Sequence, residues 1–239
     1  MKKLLLISNS TMAGEEYLKY TLPHIKKFLS KINFSYNEQV VFIPYAAVTF
    51  SYDEYEEKVN NAFKEIGLKV KSIHTFNDKK KAVNSAALII TGGGNTWHLV
   101  KKLYDEDIIS ELKKTLLSGI PYIGWSAGAN IMCPTLKTTN DMPIVEPKSF
   151  KTVGLINFQI NPHYLDANPK GHAGETREQR IEEFITLNKE TYVVGLREGT
   201  MLEIFGNDMI LLGSKSARIF KYGTKPQEIS PGENLKNFL

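Results

Sequence analysis

The stretch Ile120-Pro121-Tyr122-Ile123-Gly124-Trp125-Ser126-Ala127-Gly128 decides how the rest of the chain is read. It opens with a short apolar run that predicts a buried strand, and it passes without a spacer into Gly-x-Ser-x-Gly. A serine on a tight turn between a strand and a helix has its hydroxyl lifted clear of the backbone. Glycine is needed on either side because a Cβ there would collide with the turn. The pattern predicts a nucleophile elbow at Ser126, and with it an enzyme whose base, acid and oxyanion donors lie elsewhere in the sequence.

Working outward, short apolar runs at 4–8, 40–44, 69–73, 87–91 and 122–124 predict strands. Between them, 15–29, 52–66, 97–104 and 107–117 carry apolar residues at three- and four-residue spacing and predict helices. Repeated strand–helix–strand units predict an α/β fold, a doubly wound and mostly parallel sheet with helices on both faces. Ligands in such sheets sit outside the carboxyl ends of the strands. Ser8-Asn9-Ser10, Gly92-Gly93-Gly94-Asn95-Thr96 and Ser126 each follow an apolar run and so share that edge. Beyond the elbow, 134–151 is a long aperiodic loop, and loops longer than about 12 residues are usually functional or disordered. A strand ending near Ile160 follows, then a helix over 176–187 opened by a capping box of Thr176 and Gln179, then a strand over 192–196. The runs 201–205, 209–212 and 217–222, separated by Gly206-Asn207-Asp208 and Gly213-Ser214, predict a small antiparallel C-terminal meander that closes one edge.

The bulk properties fit this plan. The length of 239 residues and 42% hydrophobic content predict one domain over 1–239 with a core covered on both faces. The net charge of +4 comes from scattered or paired lysines rather than a basic run interleaved with aromatics, so no nucleic-acid partner is expected. A single cysteine, Cys133, leaves no intrachain disulfide framework and no cysteine-built zinc site. The start, Met1-Lys2-Lys3 followed by four apolar residues, reads as a first strand rather than a signal peptide. No segment approaches the roughly 18 apolar residues of a membrane span. The expectation is a cytoplasmic protein without a membrane partner.

Ser126 needs a base, and histidine is the usual one because its ordinary pKa of about 6.5 lies near working pH. His24, His74 and His98 fall in packing or surface positions. His172 lies in a polar loop. His163, in Asn161-Pro162-His163-Tyr164 directly after a strand, lies on the same sheet edge as Ser126 and is the candidate base. Two carboxylates could orient it. Asp141, in Thr138-Thr139-Asn140-Asp141-Met142-Pro143, lies on the loop after the elbow; Glu198, in Gly195-Leu196-Arg197-Glu198-Gly199, lies where another strand leaves the sheet. Triad order varies between unrelated folds, so both stay open. The N–H of Ala127 and those of Gly93 and Gly94 are candidate oxyanion donors. The glycines do not form a nucleotide loop, because Trp97 stands where a third glycine belongs and no Gly-Lys-Ser/Thr follows. Arg177 and Arg180 lie at the start of a helix, a good place for an anion such as a substrate carboxylate. Metal binding by His163, Asp166 and His172 matches no known ligand spacing, so neither metal nor cofactor is expected.

Together, Ser8-Asn9-Ser10, Thr91-Gly92-Gly93-Gly94-Asn95-Thr96, Gly124-Trp125-Ser126-Ala127-Gly128-Ala129-Asn130, Thr138-Thr139-Asn140-Asp141-Met142-Pro143, Ile160-Asn161-Pro162-His163 and Gly174-Glu175-Thr176-Arg177-Glu178-Gln179-Arg180 resemble the peptidase E family of α-aspartyl dipeptidases, serine peptidase family S51, over nearly the whole chain. The resemblance implies a fold like that of class I glutamine amidotransferases and a serine peptidase acting on dipeptides with an N-terminal aspartate. It implies Ser126 as nucleophile, His163 as base, either Asp141 or Glu198 as the acid, and Arg177 as the side chain that recognises the substrate aspartate. A small peptide is then the partner, with the chain a monomer or homodimer. The segment Tyr164-Leu165-Asp166-Ala167-Asn168 is more acidic than the family's apolar run, which would alter the preference for the second residue. The rival readings are a hydrolase of aspartate-rich polymers, like cyanophycinase, and a catalytically silent amino-acid or peptide binder. A glutamine amidotransferase is disfavoured because that chemistry uses a cysteine at the elbow, whereas Cys133 is expected to be buried in the helix that follows.

Overall fold

The computed structural model describes residues 1–168, 171 and 173–238. In chain order its elements are β1 (Lys3–Ile7), α1 (Leu22–Lys31), β2 (Val40–Ile43), α2 (Tyr52–Phe63), β3 (Lys71–Ser72), α3 (Lys79–Asn84), β4 (Leu88–Thr91), α4 (Thr96–Asp105), α5 (Ile109–Leu117), β5 (Tyr122–Trp125), α6 (Ala127–Asn130), β6 (Gln159–Tyr164), α7 (Arg177–Leu187), β7 (Val193–Arg197), β8 (Thr200–Phe205), β9 (Asp208–Gly213), β10 (Ala217–Phe220) and β11 (Gln227–Ile229).

Continuous apolar runs mark strands covered on both faces. Every residue of β2, β4 and β5 is buried, as are Leu4, Leu5, Leu6 and Ile7 of β1. Among the described residues these strands belong to a seven-stranded sheet of order β3-β2-β4-β5-β1-β8-β9, parallel from β3 to β1 and antiparallel from β1 to β9. Alternate side chains point to opposite faces. Leu5 and Ile7 pack with Ile25 and Phe28 of α1 and with Tyr55, Val59 and Phe63 of α2. Leu4 and Leu6 face the other way, into a core with Leu99 and Leu103 of α4 and Leu112 and Leu116 of α5. Each fully buried side chain of this size contributes about 1.5–3 kcal/mol. The doubly wound, mostly parallel plan is present. A second sheet, β11-β10-β7-β6, adds Ile160, Val194, Leu196 and Ile219 to that second core on one face and packs Val193, Phe220 and Tyr164 against Ile181 and Ile185 of α7 on the other.

Four expected elements differ. The helix expected over 15–29 begins only at Leu22. Leu18 adopts a left-handed φ of 61° because its N–H donates to Ser10 C=O at 2.7 Å, bending this segment onto the loop after β1. A 3-10 turn then leads into α1, whose Pro23 lies in the first turn where the missing N–H costs nothing. The strand expected over 69–73 shrinks to β3, which among the described residues pairs with β2 alone, at the sheet edge, before a 3-10 turn buries Ile73. The strand expected to end at Ile160 continues to Tyr164. Its pairing with β7 is irregular between Asn161 and Tyr164, and a proline is tolerated where the ladder is already broken. Finally, the C-terminal strands do not form one meander. β8 and β9 extend the large sheet, while β10 crosses to pair with β7, because alternating short strands carry no label for which sheet edge they join.

Among the described residues no helix is long and apolar enough to cross a membrane. Cys133 is buried, three residues beyond α6 rather than within it, and its Sγ accepts the Ile160 N–H at 3.1 Å. Burial pushes its thiol up to about 12. Iodoacetamide at about pH 8, near the ordinary thiol pKa, is therefore expected to leave Cys133 unmodified in the folded protein and to alkylate it after denaturation. Rapid alkylation of the native protein would contradict this burial.

Candidate active site

Ser126 lies between β5 and α6 with φ 52° and ψ −111°, a left-handed backbone that a non-glycine residue holds only when its surroundings enforce it. Its N–H donates to Ile7 C=O at 2.9 Å, and its C=O accepts the Asn130 N–H at 2.9 Å. The glycines around it are explained by close approach. A Cβ on Gly128 would lie 2.3 Å from Thr91 O, so only glycine lets α6 start directly against β4.

His163 also has a left-handed φ, 53°. Its Nε2 lies 3.1 Å from Ser126 Oγ and its Nδ1 lies 2.8 Å from Glu198 Oε1. An ionised carboxylate only accepts, so Nδ1 carries the ring proton and Nε2 is left to accept the Ser126 hydroxyl. Glu198 occupies the turn between β7 and β8, and this turn is held by the Gly199 N–H donating to Asn9 Oδ1 at 2.9 Å. Three residues more than 30 positions apart thus form a Ser–His–carboxylate line.

Asp141, the other candidate acid, makes a different set of bonds. Its Oδ2 accepts the Thr96 N–H at 2.7 Å, the Thr96 hydroxyl at 2.6 Å and the Thr139 hydroxyl at 2.9 Å, and its C=O accepts Trp97 Nε1–H at 3.1 Å. These contacts place a carboxylate at the N-terminus of α4, where the helix dipole favours negative charge. The long loop that carries Asp141 is fastened to β6. Thr138 Oγ1 donates to Ile160 C=O at 2.9 Å, Asn161 Nδ2 to Thr138 C=O at 3.0 Å, and Asn140 Nδ2 to Pro162 C=O at 2.6 Å.

Gly93 approaches Ser126 closely: a Cβ there would lie 3.1 Å from Ser126 Cβ. Its C=O accepts the Tyr55 hydroxyl at 2.9 Å, and the same Tyr55 oxygen accepts Trp125 Nε1–H at 3.2 Å. Burial pushes the Tyr55 phenol up to about 12, so it remains a neutral donor. Among the described residues, the N–H groups of Gly93, Gly94 and Ala127 have no protein acceptor. Gly93 and Gly94 border a cavity of about 430 Å³ that is also lined by Ser126, His163, Asp141, Ser10, Tyr17, Phe50, Tyr55, Lys58 and Trp125.

Arg177 does not line this cavity. It lines an adjoining one of about 200 Å³ with Lys137, Thr138, Thr139, Asn140, Asn161, Arg180 and Phe184, and Asp141 forms part of both walls. Burial, reinforced by Arg180 and opposed by Asp141, lowers the Arg177 pKa. Among the described residues Arg177 has no carboxylate within ion-pair distance.

The remaining sequence candidates resolve differently. Asp166, in the acidic segment 164–168, is bonded by Arg197, with Nε to Oδ2 at 2.8 Å, and that pairing holds its carboxyl below the usual range. His98 Nδ1 bonds Tyr45 C=O at 2.7 Å, a packing role. Among the described residues no cluster of three His, Cys, Asp or Glu side chains could hold a metal ion; His172 lies outside those residues. Tyr17, Tyr55 and Lys58 were not singled out from the sequence, because a cavity-facing tyrosine at helical spacing looks the same as a core residue.

Residues 4–212 match the sequence model of peptidase family S51. A protein named Peptidase E from Nostoc sp. is 48% identical over 238 residues, covering 100% of this chain and 97% of the relative. Peptidase E from Streptomyces coelicolor is 42% identical over 237 residues, covering 99% and 94%. Peptidase E from Salmonella paratyphi A is 41% identical over 233 residues, covering 98% and 100%. The solved structure of a peptidase from an acI-B1 actinobacterium shares the fold with a TM-score of 0.71 at 20% identity, over 98% of this chain and 96% of that one. The chain belongs to peptidase family S51.

Proposed function

We propose that this protein is a serine dipeptidase that removes aspartate from the amino terminus of Asp-X dipeptides, with Ser126, His163 and Glu198 as its triad. The observation that carries this reading is the unbroken hydrogen-bonded line from Ser126 Oγ through the imidazole to Glu198 Oε1. It ends beside a glycine loop and a helix start whose N–H groups are unspent among the described residues.

In this reading Ser126 Oγ attacks the scissile carbonyl carbon while its proton passes to His163 Nε2. Glu198 keeps the imidazole in the required tautomer and stabilises the imidazolium. The electron pair pushed onto the carbonyl oxygen is met by the Ala127 N–H and by Gly93 or Gly94 N–H. The tetrahedral intermediate collapses as the C–N bond breaks, and the leaving amine takes the proton from Nε2. An aspartyl ester on Ser126 remains. Water, deprotonated by His163, attacks that ester, and the proton returns to Ser126 as aspartate leaves.

The substrate reading rests on the two charged walls beside the triad. A dipeptide with N-terminal aspartate presents an ammonium group and a carboxylate close together. Asp141 borders the Ser126 cavity and is a fixed anion for the ammonium. Arg177, half-buried beyond it, is a guanidinium ready for the carboxylate. The smaller cavity, about 200 Å³, suits a short acidic side chain.

The direct test is hydrolysis of Asp-X, Glu-X, Asn-X and X-Asp dipeptides by wild type and by Ser126→Ala. Wild type should cleave Asp-X preferentially and Ser126→Ala should not. Absence of cleavage by wild type, or full activity in the variant, overturns the reading. In the same panel Arg177→Ala should raise KM for Asp-X about 10–100-fold, the range of a lost charge-assisted hydrogen bond; an unchanged KM would remove Arg177 from recognition. The two acids should separate kinetically. Glu198→Gln should lower kcat on the order of 10³-fold or more, whereas Asp141→Asn should act chiefly on KM. A kcat collapse in Asp141→Asn with Glu198→Gln near wild type would reverse their roles.

A further inference from the structure

The tripeptide Ile7-Ser8-Asn9 touches the backbone of each segment that carries the Ser126–His163–Glu198 line. Ile7 C=O accepts the Ser126 N–H at 2.9 Å. Ser8 Oγ accepts the His163 N–H at 3.0 Å and donates to Leu196 C=O at 2.7 Å. Asn9 Oδ1 accepts the Gly199 N–H, next to Glu198, at 2.9 Å, and also takes the Tyr20 hydroxyl at 2.6 Å. Ser8 and Asn9 are both buried.

The Ser8 contacts coincide with a fault in the second sheet. Asn161 pairs with Gly195 and Tyr164 with Arg197, so Pro162 and His163 together oppose the single residue Leu196. Such a bulge leaves ladder groups without their regular partners and re-aims the side chain it carries. Here two leftover groups, the His163 N–H and the Leu196 C=O, end on one hydroxyl that belongs to neither strand. Only a group that donates and accepts at once can serve both, which among small side chains means a hydroxyl. The same bulge gives His163 its left-handed φ of 53°, a conformation that persists only when it is over-determined by its surroundings.

Resting on the triad reading above, we propose that Ser8 is a positioning residue. Its hydroxyl is the spacer at the β6–β7 bulge that aims the His163 imidazole at Ser126 and Glu198 together. Ser8 touches neither substrate nor reacting atoms and acts through the backbone of His163. Small errors in the placement of a base cost rate steeply while leaving ground-state binding intact.

The test compares wild type with Ser8→Ala and Ser8→Cys by kcat and KM on the best Asp-X dipeptide, by the rate at which diisopropyl fluorophosphate modifies Ser126, and by the urea midpoint. A thiol keeps most of the volume but is a weak donor and acceptor. In folded variants kcat should fall about 10–100-fold with KM within about twofold of wild type, and Ser126 modification should slow in parallel. A residue that merely fills polar valences would lower the urea midpoint and leave the rate per folded molecule unchanged. The proposal is overturned if either folded variant keeps kcat within about threefold of wild type, or if its Ser126 is modified at the wild-type rate. If Ser8→Ala does not fold, Ser8→Cys decides. If wild type cleaves no dipeptide yet is modified at Ser126, the substrate reading fails and the modification rates alone decide the role of Ser8. If wild type does neither, the proposal falls with the triad reading.

Discussion

The hydrogen bonds at the carboxyl end of β1 are the constraint on which the rest of the site depends. β1 lies in the interior of the large sheet, between β5 and β8. Its end therefore faces the elbow on one side and the β7–β8 turn on the other. The bond from Ser126 N–H to Ile7 C=O continues the parallel ladder between β1 and β5 by one step beyond the strand, so Ser126 is held by the sheet itself. The bond from Ser8 N–H to Thr200 C=O does the same on the antiparallel side, at 3.0 Å, two residues from Glu198. A buried central strand is the most rigid support a domain offers, and a site held to within a fraction of an ångström needs one.

That rigidity holds two strained residues. Ser126 and His163 both have left-handed backbones without being glycine, at a cost of about 1–3 kcal/mol each. The strain at Ser126 is enforced by packing, since α6 abuts Thr91 with no room for a side chain at Gly128. At His163 it is enforced by hydrogen bonds, because Asn140 holds the Pro162 C=O and Ser8 holds the His163 N–H. The long loop after the elbow thereby has two tasks, anchoring β6 and delivering Asp141 to the start of α4. In the proposed reading the strain places reactive side chains before substrate arrives, which is where an enzyme gains most from a fixed electrostatic frame.

Much of this was legible in the residues. Leu4 to Ile7, Val40 to Ile43 and Leu88 to Ile90 carry apolar side chains on both faces, the pattern of a strand covered on both sides, and the elbow at Ser126 marks where a further short run, Tyr122 to Trp125, ends. The capping box at Thr176 and Gln179 is present, because both partners are local. What was not legible depends on distant contacts. Glu198 and Asp141 are both loop carboxylates in sequence, and only the folded chain turns one to His163 and the other to Thr96. Leu18 breaks an amphipathic helix because Ser10 takes its N–H. The carboxylate of Asp166 is visible in the sequence but its partner is not, because Arg197 lies 31 positions further on, in β7. The extension of β6 through Pro162 was hidden because proline ordinarily ends a strand, and here the bulge removes the hydrogen bond it would have broken.

The proposed mechanism passes through a covalent aspartyl ester at Ser126, formed by a serine that His163 and Glu198 activate. The most direct measurement is acid quenching of the enzyme during turnover of an aspartyl ester or amide, followed by mass-spectrometric mapping of any adduct. One aspartyl group is expected, on the peptide that contains Ser126, and none in Ser126→Ala. Turnover without an adduct on a timescale where the ester should accumulate, or an adduct carried by another residue, would contradict it.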